Sequence, residues 1–291
     1  MMMSFDFETT IVDQPRCDAI SVRLVRQATY PGMMTQEFTI NSSGKKVKFS
    51  QGNLQYQAST NTWRFADNQS DRIGVGNENI ASDYSGWIDL FGWGTSGYNH
   101  GATCYQPWST TVTNTNYWAY GDRLNNLNSQ TGKADWGYNA ISNGGNQERL
   151  WRTLTREEWN YLLFERNVSK RFVKATIDGV PGLLIFPDLF YTVFTFSRIN
   201  DASAPFSSNV RDATWWGLME GMGVVFLPVM GYRNDTTVTN NDTEGFYWTS
   251  TCDDSDYSQF SSALRFSGNG CYTDPLSRSM GRAVRLVRVK E

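Results

Sequence analysis

Two runs near the C-terminus, Gly245-Phe-Tyr-Trp-Thr-Ser-Thr251 and Arg282-Ala-Val-Arg-Leu-Val-Arg288, are rich in β-branched and aromatic residues and read as buried β-strands. Between them, residues 252–281 are small, polar and mixed in character, broken once by the strand-like Ala263-Leu-Arg-Phe266. This pattern constrains the chain strongly. It asks for a rigid sheet that presents loops, anchored at both ends, whose side chains are the functional surface, with the rest of the chain as scaffold.

The scaffold is expected to begin at Phe38. Phe38-Thr-Ile-Asn41, a Ser43-Gly44 turn and the alternating Lys46-Val-Lys-Phe-Ser50 have the form of a hairpin. Leu54-Gln-Tyr-Gln57 and Trp63-Arg-Phe65 alternate in the same way across Ser59-Thr-Asn61. From Gly74 to Gly145 the pattern is irregular, but Trp87, Leu90, Phe91, Trp93, Trp108, Trp118 and Trp136 punctuate it. Long loops pinned by buried aromatics fit this better than disorder, which is poor in aromatics.

Two helices stand out. Thr155 and Glu158 form a capping-box pattern ahead of Trp159, Leu162 and Leu163, which share one helical face. A second helix near residues 214–222 places Trp215, Leu218, Met219 and Met222 on its expected inner face. The short apolar runs Gly182–Pro187 and Val224–Pro228 read as buried strands that stop at proline, where the N–H donor is lost. Residues 234–244 read as a polar loop.

Residues 1–37 read as a leader and residues 38–291 as one domain. The leader carries Val22-Arg-Leu-Val-Arg26, which recurs as Val284-Arg-Leu-Val-Arg288. The repeat fits a leader strand that occupies a sheet position like that of the last strand. It equally fits the tail of a preceding copy of the domain.

Composition removes several function classes. Net charge is -3 and charged residues are 19% of the chain, which argues against nucleic acid as a partner, since phosphate binding needs a basic face. No run approaches the ~18 apolar residues of a membrane span. The acidic start, Met1 to Glu8, lacks a basic-then-apolar signal peptide. The four cysteines, Cys17, Cys104, Cys252 and Cys271, show no C-x-x-C spacing, and His100 is the only histidine. A zinc site or a Ser-His-Asp triad therefore has little to be built from. No cofactor and no catalytic residue is expected.

Four segments occur in order: Trp151-Arg-Thr-Leu-Thr-Arg-Glu-Glu-Trp159, Phe226-Leu-Pro228 with Gly231-Tyr-Arg233, Tyr247-Trp-Thr-Ser-Thr251, and Val284–Arg288. Together they resemble the C-type-lectin-fold proteins of gut Bacteroidetes and their phages, over about residues 38–288. That group is related to the Fibrobacter major paralogous domain and to formylglycine-generating enzymes. It includes the variable proteins of diversity-generating retroelements, whose C-terminal segment is rewritten at adenine positions. The resemblance implies an α+β, C-type lectin fold with two helices packed on small antiparallel sheets and with N- and C-terminal strands paired near each other.

For function, the resemblance implies a ligand-binding protein with a variable region at about 249–288, located at a cell surface or on a phage virion. Adenine-directed change at Asn codons cannot produce Trp, Lys, Glu, Gln or Met. Residues 249–281 contain no Trp, Lys or Glu, although these three make up 28 of the 291 residues of the chain, and Gln259 and Met280 are then invariant positions. The partner expected is a protein or cell-surface ligand. A non-variable adhesin or structural module of the same fold, with carbohydrate as one ligand class, is the alternative. Calcium-dependent sugar binding lacks its motifs, because Gln106-Pro-Trp108 stands alone and no Trp-Asn-Asp follows. Enzyme chemistry of the formylglycine-generating type lacks a basic or metal-binding cluster beside Cys252 and Cys271.

The expected ligand-binding residues come from three places. After the first strand lie Cys252, Asp253, Asp254, Ser255, Asp256 and Tyr257. Phe260 stands alone. Before the last strand lie Asn269, Gly270, Cys271, Tyr272, Thr273, Asp274, Pro275, Leu276, Ser277, Arg278 and Ser279. The tyrosines and Phe260 supply rigid contact area, while Asp, Ser and Asn supply adaptable hydrogen bonds.

Overall fold

The alternating residues at the start of the body pair as they should in a computed structural model, which describes residues 30–98, 105–109, 124–253 and 259–289. β1 (Phe38–Thr39) and β2 (Lys46–Phe49) are antiparallel. Gly44, at φ 81°, makes the turn, and the Asn41 side chain accepts from Lys45 N–H at 2.9 Å. Met33 and Met34, which the sequence placed in the leader, already belong to this unit. Met33 bridges Ser50, and Met34 N–H donates to Phe49 O at 2.8 Å. β3 (Leu54–Gln57), β4 (Thr62–Phe65) and β5 (Trp87–Ile88) form a second small sheet in the order β4-β3-β5.

The irregular segment that follows is held by its aromatics. Leu90, Phe91, Trp93 and Trp136 are fully buried, and Trp63 packs on Phe91 at 5.4 Å between ring centres. β6 (Arg152–Thr153) leads into α1 (Arg156–Asn160), which continues as a π-helical turn (Tyr161–Glu165). Both capping-box bonds are present: Glu158 N–H donates to Thr155 Oγ1 at 3.1 Å and Thr155 N–H to Glu158 Oε2 at 3.0 Å. Glu158 also takes a bidentate pair of bonds from Arg152, at 2.6 and 2.8 Å. Trp159, Leu162 and Leu163 are buried as their spacing predicts.

β7 (Phe172–Ile177) and β8 (Val180–Ile185) form a hairpin, β9 (Val210–Arg211) lies parallel to β7, and α2 (Ala213–Gly221) follows. The sheet is completed by β10 (Val225–Pro228), in the order β10-β8-β7-β9. α2 is rotated from the face expected of it. Trp216 and Met219 are buried, Trp215 is half-buried and Leu218 is 54% exposed. Adjacent tryptophans compete for one face, and Trp216 wins because it packs on Phe226 at 5.5 Å. Trp215 stacks edge-on against Phe194 and Phe196 instead.

The expected polar loop at 234–244 contains part of a short hairpin, β11 (Tyr232–Asn234) with β12 (Thr237–Thr239). Asp235, at φ 51°, adopts the left-handed turn conformation that Asp tolerates. Then come β13 (Glu244–Cys252), β14 (Phe260–Ser267) and β15 (Gly270–Ser277), a three-stranded antiparallel meander. β16 (Leu286–Val289) lies between β2 and β6 in the sheet β1-β2-β16-β6.

Period-2 alternation divides the interior. On β13, Tyr247 joins one core with Leu264, Phe266 and Cys271, while Trp248 joins a second with Phe91, Trp93 and Trp136. Both rings also donate a hydrogen bond: Tyr247 to Pro228 O at 2.9 Å and Trp248 to Phe91 O at 2.7 Å. A third core joins α2 to the outer face of the β7–β8 hairpin. The architecture is α+β, built of small sheets and two short helices. Among the described residues, no helix is long and apolar enough to cross a membrane.

Candidate ligand-facing surface of the C-terminal meander

The structure corrects the expectation of a loop between residues 252 and 281. Phe260–Ser267 and Gly270–Ser277 are strands, in continuous register from Phe260↔Ser277 to Ser267↔Gly270. The turn between them falls at Gly268 and Asn269. Pro275 hid β15 from sequence reasoning, but β15 is the outer strand of the meander, where a missing N–H is tolerated.

Strand alternation then sorts the expected site residues. Phe246, Arg265 and Tyr272 are directly paired across the meander, as are Trp248, Ala263 and Asp274. These share one face with Glu244 and Leu276. Trp248 and Ala263 on it are buried in the second core and Phe246 is buried too, so the face opens outward only at Glu244, Arg265, Tyr272, Asp274 and Leu276. The opposite face carries Tyr247, Leu264, Phe266 and Cys271 into the core. Gly245 lies against the Phe266 ring, and a Cβ there collides with it.

Arg265 is the centre of the outward face. Its Nη2 donates to Glu244 Oε1 at 2.6 Å and its Nη1 to Asp274 Oδ2 at 3.4 Å. Its guanidinium lies 5.5 Å from the Phe246 ring centre and 6.0 Å from that of Tyr272. The hydrogen bond to Glu244 holds the guanidinium pKa above its ordinary value.

On the far edge of β13, Ala283 bridges Tyr247 in parallel. Arg282 therefore continues the row, 5.5 Å from Phe246, 4.6 Å from Trp248 and 6.0 Å from Tyr232. The result is a row of alternating aromatic and cationic side chains, Tyr272, Arg265, Phe246 and Arg282, exposed at the β15 end and buried at the other. Burial drives the Arg282 pKa down to about 9, and its Nη1 donates to Ser277 O at 2.7 Å. Arg278 sits over Trp93 at 4.6 Å, and burial lowers its pKa to about 10.

Several expected site residues lie inside instead. Cys252 is buried, with its thiol donating to Leu124 O at 2.9 Å. Cys271 is buried in the core, and desolvation raises its thiol pKa to about 12. Asp253, Arg278 and Ser279 are buried as well. Thr273 and Ser277 are half-buried; Thr273 Oγ1 bonds Asn160 Oδ1 of α1 at 3.1 Å and Ser277 Oγ meets Ser279 Oγ at 3.1 Å.

Tyr272, Pro275 and Asn269 are exposed, while Phe260, Gly270, Asp274 and Leu276 are half-exposed. Asp254, Ser255, Asp256 and Tyr257 lie outside the described residues, as do His100, Cys17, Cys104, Trp118 and the Val22–Arg26 repeat. The sequence reading missed Glu244, Arg265 and Arg282. The signal was a charged residue at the outward position of Ala263-Leu-Arg-Phe266, the place where a period-2 strand shows its solvent face. Among the described residues, no group of three or more His, Cys, Asp or Glu side chains is placed to hold a metal ion.

Residues 195–287 match a domain family of unknown function, DUF8237. The match takes in α2, β10 and the whole meander. No curated protein matches the chain. No solved structure matches it either.

Proposed function

We propose that this chain is a ligand-binding protein of C-type lectin fold, of the kind diversified by retroelements, and that its ligand meets the outward face of β13–β15. One observation carries the proposal. The exposed Tyr272 and the half-exposed Asp274 and Leu276 stand on a strand whose main chain is paired along its length and whose partner β14 packs into the core behind it. Such positions exchange side chains with little effect on the fold, because surface substitutions away from core features usually change stability by less than about 0.5 kcal/mol. Tyr272, 44% exposed, supplies rigid contact area, and the Glu244–Arg265–Asp274 cluster supplies charge of both signs.

Burial narrows the diversified set. Variation belongs at 272, 274 and 276 and not at Cys271, Arg278 or Arg282, whose side chains are enclosed. A fixed adhesin surface on the same scaffold is the second reading. The ion pairs joining Arg265 to Glu244 and Asp274 favour it, because free variation at 274 breaks one of them.

The neighbouring DNA separates the two readings. A near-copy of these codons that differs at adenines, accompanied by a reverse transcriptase gene, supports diversification; its absence leaves the adhesin. The face itself is tested by Tyr272→Ala and Asp274→Ala, singly and together, against a panel of bacterial cells and surface proteins. Binding is expected to weaken about tenfold or more in the double variant while the melting temperature holds. Undiminished binding by the double variant removes the face from the proposal.

A further inference from the structure

Between Phe186 and Arg198 the chain runs outside any sheet, yet its burial alternates residue by residue. Phe190, Phe194 and Phe196 turn inward against the third core. Leu189, Tyr191 and Val193 turn outward, at 87%, 84% and 83% exposure, and are the three most exposed large apolar side chains of the described residues. Their main chain is free as well: among the described residues, Leu189, Phe190, Tyr191 and Val193 make no backbone–backbone hydrogen bond. The stretch runs between two bends, one at Asp188 and Leu189 and one at Val193, where Phe194 N–H donates to Thr192 Oγ1 at 3.1 Å.

A free main chain beside an apolar stripe is a template for another strand, and proteins normally guard such edges with charge, proline or a bulge. The outer strand of the meander is guarded in this way, by Asp274 and Pro275. Leu189 to Ser197 carries no charge and no proline, although Asp188 and Arg198 stand at its ends.

We propose that this segment pairs antiparallel with the same segment of a second copy of the chain, about a two-fold axis at Tyr191. That register is the one that sets every outward apolar side chain against another, Leu189 against Val193 and Tyr191 against its own counterpart. Moving the axis to Val193 sets Leu189 against Ser197 and Tyr191 against Thr195. The contact is isologous and closes on itself, so it forms a dimer and not a filament. It lies apart from the meander face and does not rest on the ligand proposed for it.

Sedimentation velocity of the full chain over a roughly hundredfold concentration range tests this. The wild type is expected to show a dimer that grows with concentration. Tyr191→Asp sets two carboxylates against each other at the axis. It is expected to weaken the dimer at least about tenfold without moving the melting temperature, because the side chain is exposed. Cross-linking reads the register. At the axis, facing Cα atoms lie about 4.5–5.5 Å apart, within disulfide reach. In a chain with Cys17→Ser and Cys104→Ser, Tyr191→Cys is expected to form a covalent dimer under mild oxidation. Leu189→Cys is expected to do so only together with Val193→Cys.

A wild type that stays monomeric throughout, a Tyr191→Asp variant that dimerises as the wild type does, or equal cross-linking by Leu189→Cys alone overturns the proposal. So does a dimer that appears only after residues 1–29 are removed, because the stripe then belongs to the chain's own N-terminal segment.

Discussion

Some buried charges of this protein are met by neutral partners. Arg285 donates to Gln69 Oε1 at 2.7 Å, and Gln69 in turn donates to Glu220 Oε1 at 3.1 Å, so an amide relays between a buried cation and a more exposed carboxylate. Asp89 is the opposite case. It is fully buried, and although Ile73 N–H and Asn77 Nδ2 donate to it at 2.9 and 2.7 Å, desolvation prevails and raises its carboxyl to about 6. Between the ordinary value of 3.8 and about 6 the folded state binds more protons than the unfolded one, so this group's contribution to stability falls as pH rises through that window. At about 1.4 kcal/mol per pH unit, the gap corresponds to about 3 kcal/mol. Asp89→Asn removes the titration. The stability of the wild type relative to the variant is therefore expected to decline by roughly that amount from pH 4 to pH 7, measured by urea unfolding at each pH. A pH-independent difference contradicts a raised Asp89 pKa.

Among the elements, α1 shows what local chemistry secures. Its cap depends on two residues three apart, and both bonds are present. Its buried face depends on Trp159, which packs on Phe49 at 5.9 Å and whose indole N–H has no hydrogen-bond partner. Trp159→Ala is expected to cost about 3–5 kcal/mol by leaving a cavity. Trp159→Phe is expected to cost less than half as much, because it keeps a ring and deletes an N–H that makes no bond. Denaturant midpoints for the two variants check the ratio; equal losses contradict the account. Thr155→Ala, which removes one capping bond, is expected to cost about 1 kcal/mol. α2 is capped as well, Trp215 N–H donating to Asp212 Oδ1 at 2.8 Å, but its buried face is not set locally: Trp215 and Trp216 are equally apolar, and only the position of Phe226 and Phe196 decides between them.

At the scale of the molecule, β16 closes the fold. β16 lies inside its sheet, with Val287 paired to Phe49 on one side and to Arg152 on the other. Leu286 and Val287 point into different cores. Ending the chain before Leu286 strips both neighbours of their partner and opens two cores together, so the truncated protein is expected to lose its near-ultraviolet circular dichroism and cooperative melting. A folded, cooperatively melting truncation contradicts the placement of β16. Closure by the last strand also means that native pairing spans almost the whole described chain, a topology that folds slowly.

Residues close in the chain specify the local elements: the Ser43-Gly44 turn, the first two hairpins, the capped helix, the apolar runs stopped by proline, and two of the expected loop tryptophans, Trp93 and Trp136, which are buried while Trp87 and Trp108 are only half-buried. Each is specified by residues within a few positions of one another, through caps, turns and period. The sequence by itself also located the C-terminal region in which the outward face lies. Tertiary structure decided which residues of that region face out. Cys252, Cys271 and Arg278 are polar or reactive by type and looked like surface, yet each is enclosed by segments distant in the chain: Leu124 over Cys252, α1 and β7 beside Cys271, Trp93 beneath Arg278. Arg265 and Glu244 became neighbours only when β14 paired with β13. Burial depends on what packs across from a residue, and nothing within a few positions of it in the chain records that.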